Sequence, residues 1–187
     1  MIEWLYNLDV NFFRLGNEAL ANPVFDAIMP FITDVRHWYV VYILSVILLM
    51  IYGGKRGRWA VVFAIMTIVI SDQLSSFILK PLIGRLRPCH ALDHVRLLVR
   101  CGGGFSFPSS HAVNNFAIAL FFGSVYRKAM PYLLLIAFII AYSRVYVGVH
   151  YFSDVIAGAF IGAGIGYLVA LLYTRLIISP TTVKSHS

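Results

Sequence analysis

An all-α fold, a polytopic membrane helical bundle of five or six transmembrane helices with an N-terminal interfacial helix, is predicted by three observations. Of the 187 residues, 60% are hydrophobic and only 12% are charged. The mean hydropathy of +0.81 is more apolar than a soluble domain of this length carries. The apolar residues fall into separate blocks near the length of a membrane span, divided by short turns rich in Lys and Arg. The length suits one membrane-embedded domain over residues 1–187, without a separate soluble unit.

Met1 to Leu20 lacks a basic leader and is interrupted by Asp9, Arg14 and Glu18, which argues against a cleavable signal. Ile2, Leu5, Leu8, Phe12 and Leu15 recur at helical spacing, so this stretch reads as a helix lying in the interface. Pro23 and Pro30 bracket Val24 to Met29, a short apolar piece that either begins a span or stays re-entrant. The clear spans are Trp38 to Tyr52, Trp59 to Leu79, Ala112 to Tyr126, Met130 to Val149 and Val155 to Ser179. The shorter ones borrow adjoining residues to reach the ~20 that a bilayer requires. In the last span Gly158, Gly162 and Gly166, with Gly164 between them, form a small-residue packing face.

The net charge of +7 would suggest nucleic acid for a soluble chain. Here the basic residues cluster at span ends, which points to lipid headgroups and topology and away from nucleic acid. Lys55, Arg56, Arg58, Arg127, Lys128, Arg175 and Lys184 fall on one side, expected to be cytoplasmic. Arg36, Lys80, Arg85, Arg87, Arg96, Arg100 and Arg144 fall on the other. If several of these bind phosphate, the remaining bias places the loop Pro81 to Phe107 outside the cytoplasm, facing the periplasm or the cell exterior.

Three segments then share that outer side. Lys80 to Pro88 ends the second clear span, Phe107 to His111 opens the next after Gly102, Gly103 and Gly104, and Ser143 to Asp154 joins the last two. Lys80, Arg87 and Arg144 can neutralise the equatorial oxygens of a phosphoryl transition state. Pro108 suits a first helical turn, whose free N–H groups, with Ser109, face an anion. His150 and Asp154 stand four residues apart, a spacing that stacks imidazole and carboxylate on one helical face. His150 can attack phosphorus, with Asp154 behind it, and His111 can protonate the leaving oxygen.

These segments resemble the type 2 phosphatidic acid phosphatase superfamily, whose pattern is K-x6-R-P, then P-S-G-H, then S-R-x5-H-x3-D. Lys80, Arg87 and Pro88 match the first element. Pro108, Ser109 and His111 match the second, and Ser143, Arg144, His150 and Asp154 the third. The resemblance implies a membrane lipid phosphatase that needs no metal or other cofactor and passes through a phosphohistidine on His150. His111 would be the general acid, and Lys80, Arg87, Ser109, Ser110 and Arg144 would bind the substrate phosphate. Ser110 stands where the family usually has glycine. A helical backbone there keeps its N–H directed at phosphate, whereas a positive φ would strain serine. The substrates implied are undecaprenyl diphosphate, phosphatidylglycerol phosphate, phosphatidic acid and the phosphates of lipid A.

The remaining polar residues have plainer readings. His37 is expected to be packed or paired, and Asp72, on one face with Ser76 and Lys80, to pair with a polar group inside the bundle. Arg85, Arg96 and Arg100 are expected to be headgroup contacts or solvated loop charges. Cys89, His90, His94 and Cys101 resemble a set of zinc ligands, at a spacing that matches no usual structural site. If the loop faces an oxidising compartment, a Cys89–Cys101 disulfide is the expectation over a metal site, with two free thiols as the alternative. Two rival functions share the basic cluster. One is a vanadate-dependent haloperoxidase, whose known members are soluble. The other is an anionic-lipid transporter or scramblase that binds headgroups without cleaving them.

Overall fold

The computed structural model describes residues 2–179, and every regular element among them is helical. Helix α1 (Ile2–Arg14) runs into a π-helical turn at Leu15–Ala19. Its Leu5, Leu8, Phe12 and Leu15 are exposed, while Asp9, Phe13 and Asn17 are buried against the bundle. The apolar stripe therefore faces the surroundings, as a helix at a lipid interface requires.

Helix α2 (Pro23–Thr33) starts with Pro23 at its first position and with the Asn22 side chain accepting from the Phe25 N–H at 2.9 Å. Its 11 residues rise only ~16 Å, about half of a bilayer core. The segment packs Met29 against Tyr146, Val147 and Val149 and does not cross. Extended Asp34 and a 3-10 turn at Val35–Trp38 lead into α3 (Tyr39–Tyr52). His37 stacks on Phe31 there, and its Nδ1 lies 2.9 Å from the Phe31 carbonyl oxygen, the paired state expected of it.

Helix α4 (Gly54–Gln73) follows a turn in which a Cβ on Gly53 or Gly57 would collide with the Leu49 carbonyl. It continues through a π-helical turn at Leu74–Leu79 into α5 (Lys80–Ile83), which Gly84 ends in the left-handed region at φ 64°. Helix α6 (Pro88–Ala91) opens a long loop to α7 (Ser110–Val125). A 3-10 turn at Arg127–Ala129 leads into α8 (Met130–Tyr146), and α9 (Phe152–Tyr173) ends in a π-helical turn at Thr174–Ile178.

Among the described residues four largely helical stretches are long and apolar enough to cross a membrane: Val35–Tyr52, Gly54–Ala91, Arg127–Tyr146 and Phe152–Ile178. The 16-residue α7, shorter than these, packs between α4, α8 and α9 as a further helix of the bundle. Contact between α7 and α9 is so close that a Cβ on Gly158 would press on the Ser109 carbonyl and Ala112. One on Gly162 or Gly166 would overlap the Val113 or Ala117 carbonyl. These glycines let two backbones touch, as the sequence spacing implied.

At one end of the bundle the Tyr173 hydroxyl donates to the Arg56 carbonyl at 2.9 Å, which ties the Lys55–Arg58 turn to the end of α9. Lys184, grouped with that turn by sequence, lies outside the described residues. The other end holds the N-termini of α7 and α9 and the C-termini of α5 and α8. Both α1 and α2 reach this same end, through Asp9 to the Ser153 N–H (3.0 Å) and through Thr33 to Arg144 (2.6 Å).

Candidate functional site

The chain between α8 and α9 is not helical through His150. Gly148 takes φ 87° against the Arg96 carbonyl, and Tyr151 is extended as the N-cap of α9. The four-residue spacing of His150 and Asp154 therefore does not stack them on a helix face. Asp154 is the third residue of α9, and its Oδ2 accepts the Tyr151 N–H at 2.9 Å. The same oxygen lies 3.5 Å from His150 Nδ1 and accepts the Ser106 hydroxyl. Spacing brings the pair together, but through a cap.

His150 is only 2% exposed. Its Nε2 lies 3.0 Å from Arg87 Nη1. A guanidinium only donates, so Nε2 is the acceptor and the ring proton sits on Nδ1, facing Asp154 and Ser106. Burial pushes the imidazole down to about 3 against the upward pull of Asp154, and the charges of Arg144 and Arg87 push in the same direction as burial. The ring is therefore neutral, with an Nε2 lone pair, near neutral pH.

Arg87 Nη1 also donates to the Val149 carbonyl at 3.2 Å, and Arg144 Nη1 to the Thr33 hydroxyl at 2.6 Å. Arg87 Nε, Arg144 Nε and Ser109 Oγ are buried without a hydrogen-bonding partner, three of four such side-chain atoms among the described residues. Leaving a buried polar group unpaired costs about 1–3 kcal/mol, so a cluster of them marks a place where donors are held for a ligand. Ser109 is the N-cap of α7, and its N–H donates to the Asp154 carbonyl at 3.1 Å. The first bond within that helix runs from Val113 N–H to the Ser109 carbonyl, so the N–H groups of Ser110 and His111 precede it.

Other expectations change in detail. Pro108 lies outside the helix, two residues before its first turn at Ser110. Ser110 is helical and has no positive φ, so serine is unstrained, and its hydroxyl meets Ser75 and Ser76 at 3.2 and 3.3 Å. Lys80 turns its ammonium onto the Phe105, Ser106 and Pro108 carbonyls, at 2.9, 3.4 and 2.9 Å, and so clamps the loop leading into α7. His111 stands in the first turn of α7, within electrostatic reach of Arg144, Arg87 and Lys80. Asp72 accepts from Asn114 at 3.3 Å and Ser76 at 3.4 Å, the intrabundle pairing expected of it.

Arg85 and Arg96 are not solvated loop charges. Arg85 bridges Asp9 at 2.7 Å and Asp154 at 2.8 Å. Arg96 pairs with Asp26 and donates to the Asn17 carbonyl at 3.2 Å. Sequence reasoning missed Asp9, Asn17, Ser106 and Ser153, each a lone polar residue whose partner is remote in the chain. Cys89 and Cys101 form a disulfide with a Cα–Cα distance of 6.4 Å, which consumes both thiols of the zinc reading.

Residues 38–178 match the family model described as the PAP2 superfamily. The chain belongs to the PAP2 superfamily. A lipid A 4'-phosphatase of Bacteroides thetaiotaomicron is 36% identical to it, with 94% of this chain and 81% of that protein aligned. A crystal structure described as a transmembrane PAP2 type phosphatidylglycerolphosphate phosphatase from Bacillus subtilis superposes with a TM-score of 0.75 at 24% identity, covering 92% of this chain and 87% of that one. This second likeness bears on the fold alone. Aquifex aeolicus LpxE superposes with a TM-score of 0.68 at 28% identity, covering 87% and 94%. In this PAP2 chain the matched region contains the whole stretch from Lys80 to Asp154.

Proposed function

We propose that this integral membrane protein hydrolyses the phosphate of a membrane lipid through a phosphohistidine on His150. The observation that carries the reading is the set of unpaired buried groups: Arg87 Nε and Arg144 Nε on the two cations that act on His150, and Ser109 Oγ on the N-cap bonded to the Asp154 carbonyl. The incoming phosphate draws Arg87 from Nε2 onto its own oxygens, which frees the lone pair for attack on phosphorus. Arg87, Arg144, Ser109 and the Ser110 and His111 N–H groups hold the equatorial oxygens, with Lys80 adding charge behind the loop. Asp154 stabilises the imidazole as it becomes cationic. His111 protonates the departing lipid oxygen, then takes a proton from the water that releases phosphate from His150.

The phosphate of a lipid A-type glycolipid is the favoured substrate. Two relatives aligned over more than nine-tenths of this chain carry the name lipid A 4'-phosphatase. Purified protein offered lipid A, phosphatidylglycerol phosphate, phosphatidic acid and undecaprenyl diphosphate should release phosphate, fastest from lipid A. Activity should survive chelator and be blocked by vanadate, because three cationic side chains and a helix N-terminus supply the charge a metal would otherwise bring. Binding of all four lipids without phosphate release would favour a transporter. Loss of activity in chelator, restored by zinc or magnesium, would overturn the metal-free mechanism.

The site is assigned to the periplasmic face of a bacterial inner membrane. Lys55, Arg56, Arg58, Arg127, Lys128 and Arg175 lie in the turns and helix end at the opposite pole. The site end is as basic, but its Lys80, Arg85, Arg87, Arg96 and Arg144 are engaged within the protein, and the remaining bias favours a cytoplasmic opposite pole. An impermeant thiol reagent given to intact cells after mild reduction should label Cys89 or Cys101. Labelling only in broken cells would invert the orientation.

A further inference from the structure

We propose that Arg85 is a positioning residue for the His150–Asp154 pair and that, through Asp9, it makes the interfacial helix α1 a working part of the site; this rests on the phosphatase reading above. Arg85 follows the left-handed Gly84, and its carbonyl accepts the Ser106 N–H at 2.7 Å, so its backbone is fixed to the strip of loop beside Asp154. Its guanidinium lies 4.0 Å over the Tyr151 ring. One arm, Nη1, donates to Ser153 Oγ at 2.6 Å and to Asp154 Oδ1 at 2.8 Å. The other, Nη2, donates to Asp9 Oδ2 at 2.7 Å.

The two oxygens of Asp154 have different duties. Oδ2 faces His150, Ser106 and the Tyr151 N–H. Oδ1 receives Arg85, its one side-chain donor among the described residues. A carboxylate held at both oxygens cannot turn, so Arg85 sets the direction from which Asp154 addresses Nδ1 of His150. Asp154 is 0% exposed, which leaves solvent no share in that task.

Asp9 completes the arrangement from α1. It accepts the Ser153 N–H at 3.0 Å, and also the Ser153 hydroxyl, besides Arg85. Its own helix presents Leu5, Leu8 and Phe12 to the surroundings. The depth at which α1 lies in the interface therefore fixes Asp9, Asp9 holds Arg85 in its bridging rotamer, and Arg85 holds Asp154. A planar, forked guanidinium is suited to span two carboxylates, which an ammonium does only in part.

The full-length chain in lipid vesicles provides the test, with wild type, Arg85→Met, Arg85→Lys, Asp9→Asn, the Asp9→Asn/Arg85→Met double variant and Glu3→Gln on the exposed side of α1 as control. Arg85→Met should lower kcat about 10- to 100-fold, the range for residues that orient a working histidine, while KM stays within about twofold of wild type. Arg85→Lys should regain part of that loss, Asp9→Asn should show a smaller drop in kcat, and Glu3→Gln should show none. The double variant should fall close to Arg85→Met, since the effect of Asp9 on Asp154 that runs through Arg85 is then already lost and only its bonds to Ser153 remain to be removed. Wild-type kcat in folded Arg85→Met, or a loss confined to KM, would overturn the positioning role. Fully multiplying losses in the double variant would show that Asp9 acts independently of Arg85 and would overturn the link from α1 through Arg85. If Arg85→Met does not fold, Arg85→Lys and Asp9→Asn, which keep charge or shape, carry the same comparison. A wild-type chain that releases no phosphate overturns the phosphatase reading, and this inference with it.

Discussion

Replacing His150 with alanine should lower phosphate release by about 10⁴-fold or more and leave the bundle folded. The ring is buried, yet its contacts are few: Arg87 at Nε2, and Ser106 and Asp154 at longer range on Nδ1. Arg87 keeps the Val149 carbonyl as an acceptor when the ring is gone. What disappears is the atom proposed to bond to phosphorus, for which no neighbour substitutes. Asp154→Asn should cost less in turnover, about 10²- to 10⁴-fold, but more in stability. Its carboxylate accepts from Arg85, Ser106 and Tyr151, and weakening buried charged hydrogen bonds costs on the order of 1–3 kcal/mol. Phosphate release measured beside thermal unfolding in detergent separates the two effects. Full activity in folded His150→Ala would exclude the phosphohistidine.

Gly162→Leu should prevent the protein from folding. A Cβ at this position overlaps the Val113 carbonyl before any further side-chain atom is added, and the obstacle is backbone, which cannot rotate away. Relief requires α7 and α9 to part along the seam, exposing core contacts such as Phe121 with Val169, Ala170 and Tyr173. Overpacking a core costs about 1–3 kcal/mol where side chains can yield, and more is expected here. Gly164→Ala is the counterpart, since nothing lies within 4 Å of a Cβ there. It should leave folding intact and add up to ~1 kcal/mol of helix propensity. Monodispersity and unfolding temperature of the two variants decide the matter, and a stable Gly162→Leu would refute the tight seam.

Much of the site was legible because the phosphate chemistry demands particular residue types, and these stand in one ordered run from Lys80 to Asp154. The spans were legible from apolar length, and the glycine face from a spacing that recurs each turn of α9. The conformation around His150 was not. Four-residue spacing is shared by a helix face and by an N-cap with its third residue, and only the left-handed Gly148 separates the two. The support of Asp154 was hidden for another reason. Arg85 stands two residues from Arg87 in a basic run where any charge reads as solvated, and its partner Asp9 is 76 residues away on a helix whose apolar stripe drew attention to the opposite face. Asn17, buried among carbonyls of Arg96 and Tyr146 at 2.8 and 2.7 Å, shows the same limit, because one polar residue carries no period.

The seam between α7 and α9 bears on how the protein meets membranes of differing thickness. Helices that slide past one another could accommodate a thinner or thicker hydrocarbon layer by shear, and a site divided between their ends would shear with them. Here the backbones interlock at Gly158, Gly162 and Gly166, and Ser109 N–H is bonded to the Asp154 carbonyl at the top. Hydrophobic mismatch is then taken up by tilting the pair as one body. The outer helix α3 buries none of its own residues and packs on α4, away from that seam. The geometry of the candidate site should thereby be separated from bilayer thickness, so turnover in vesicles of shorter and longer acyl chains is expected to vary with substrate access to the interface more than with the alignment of Ser109 and His150.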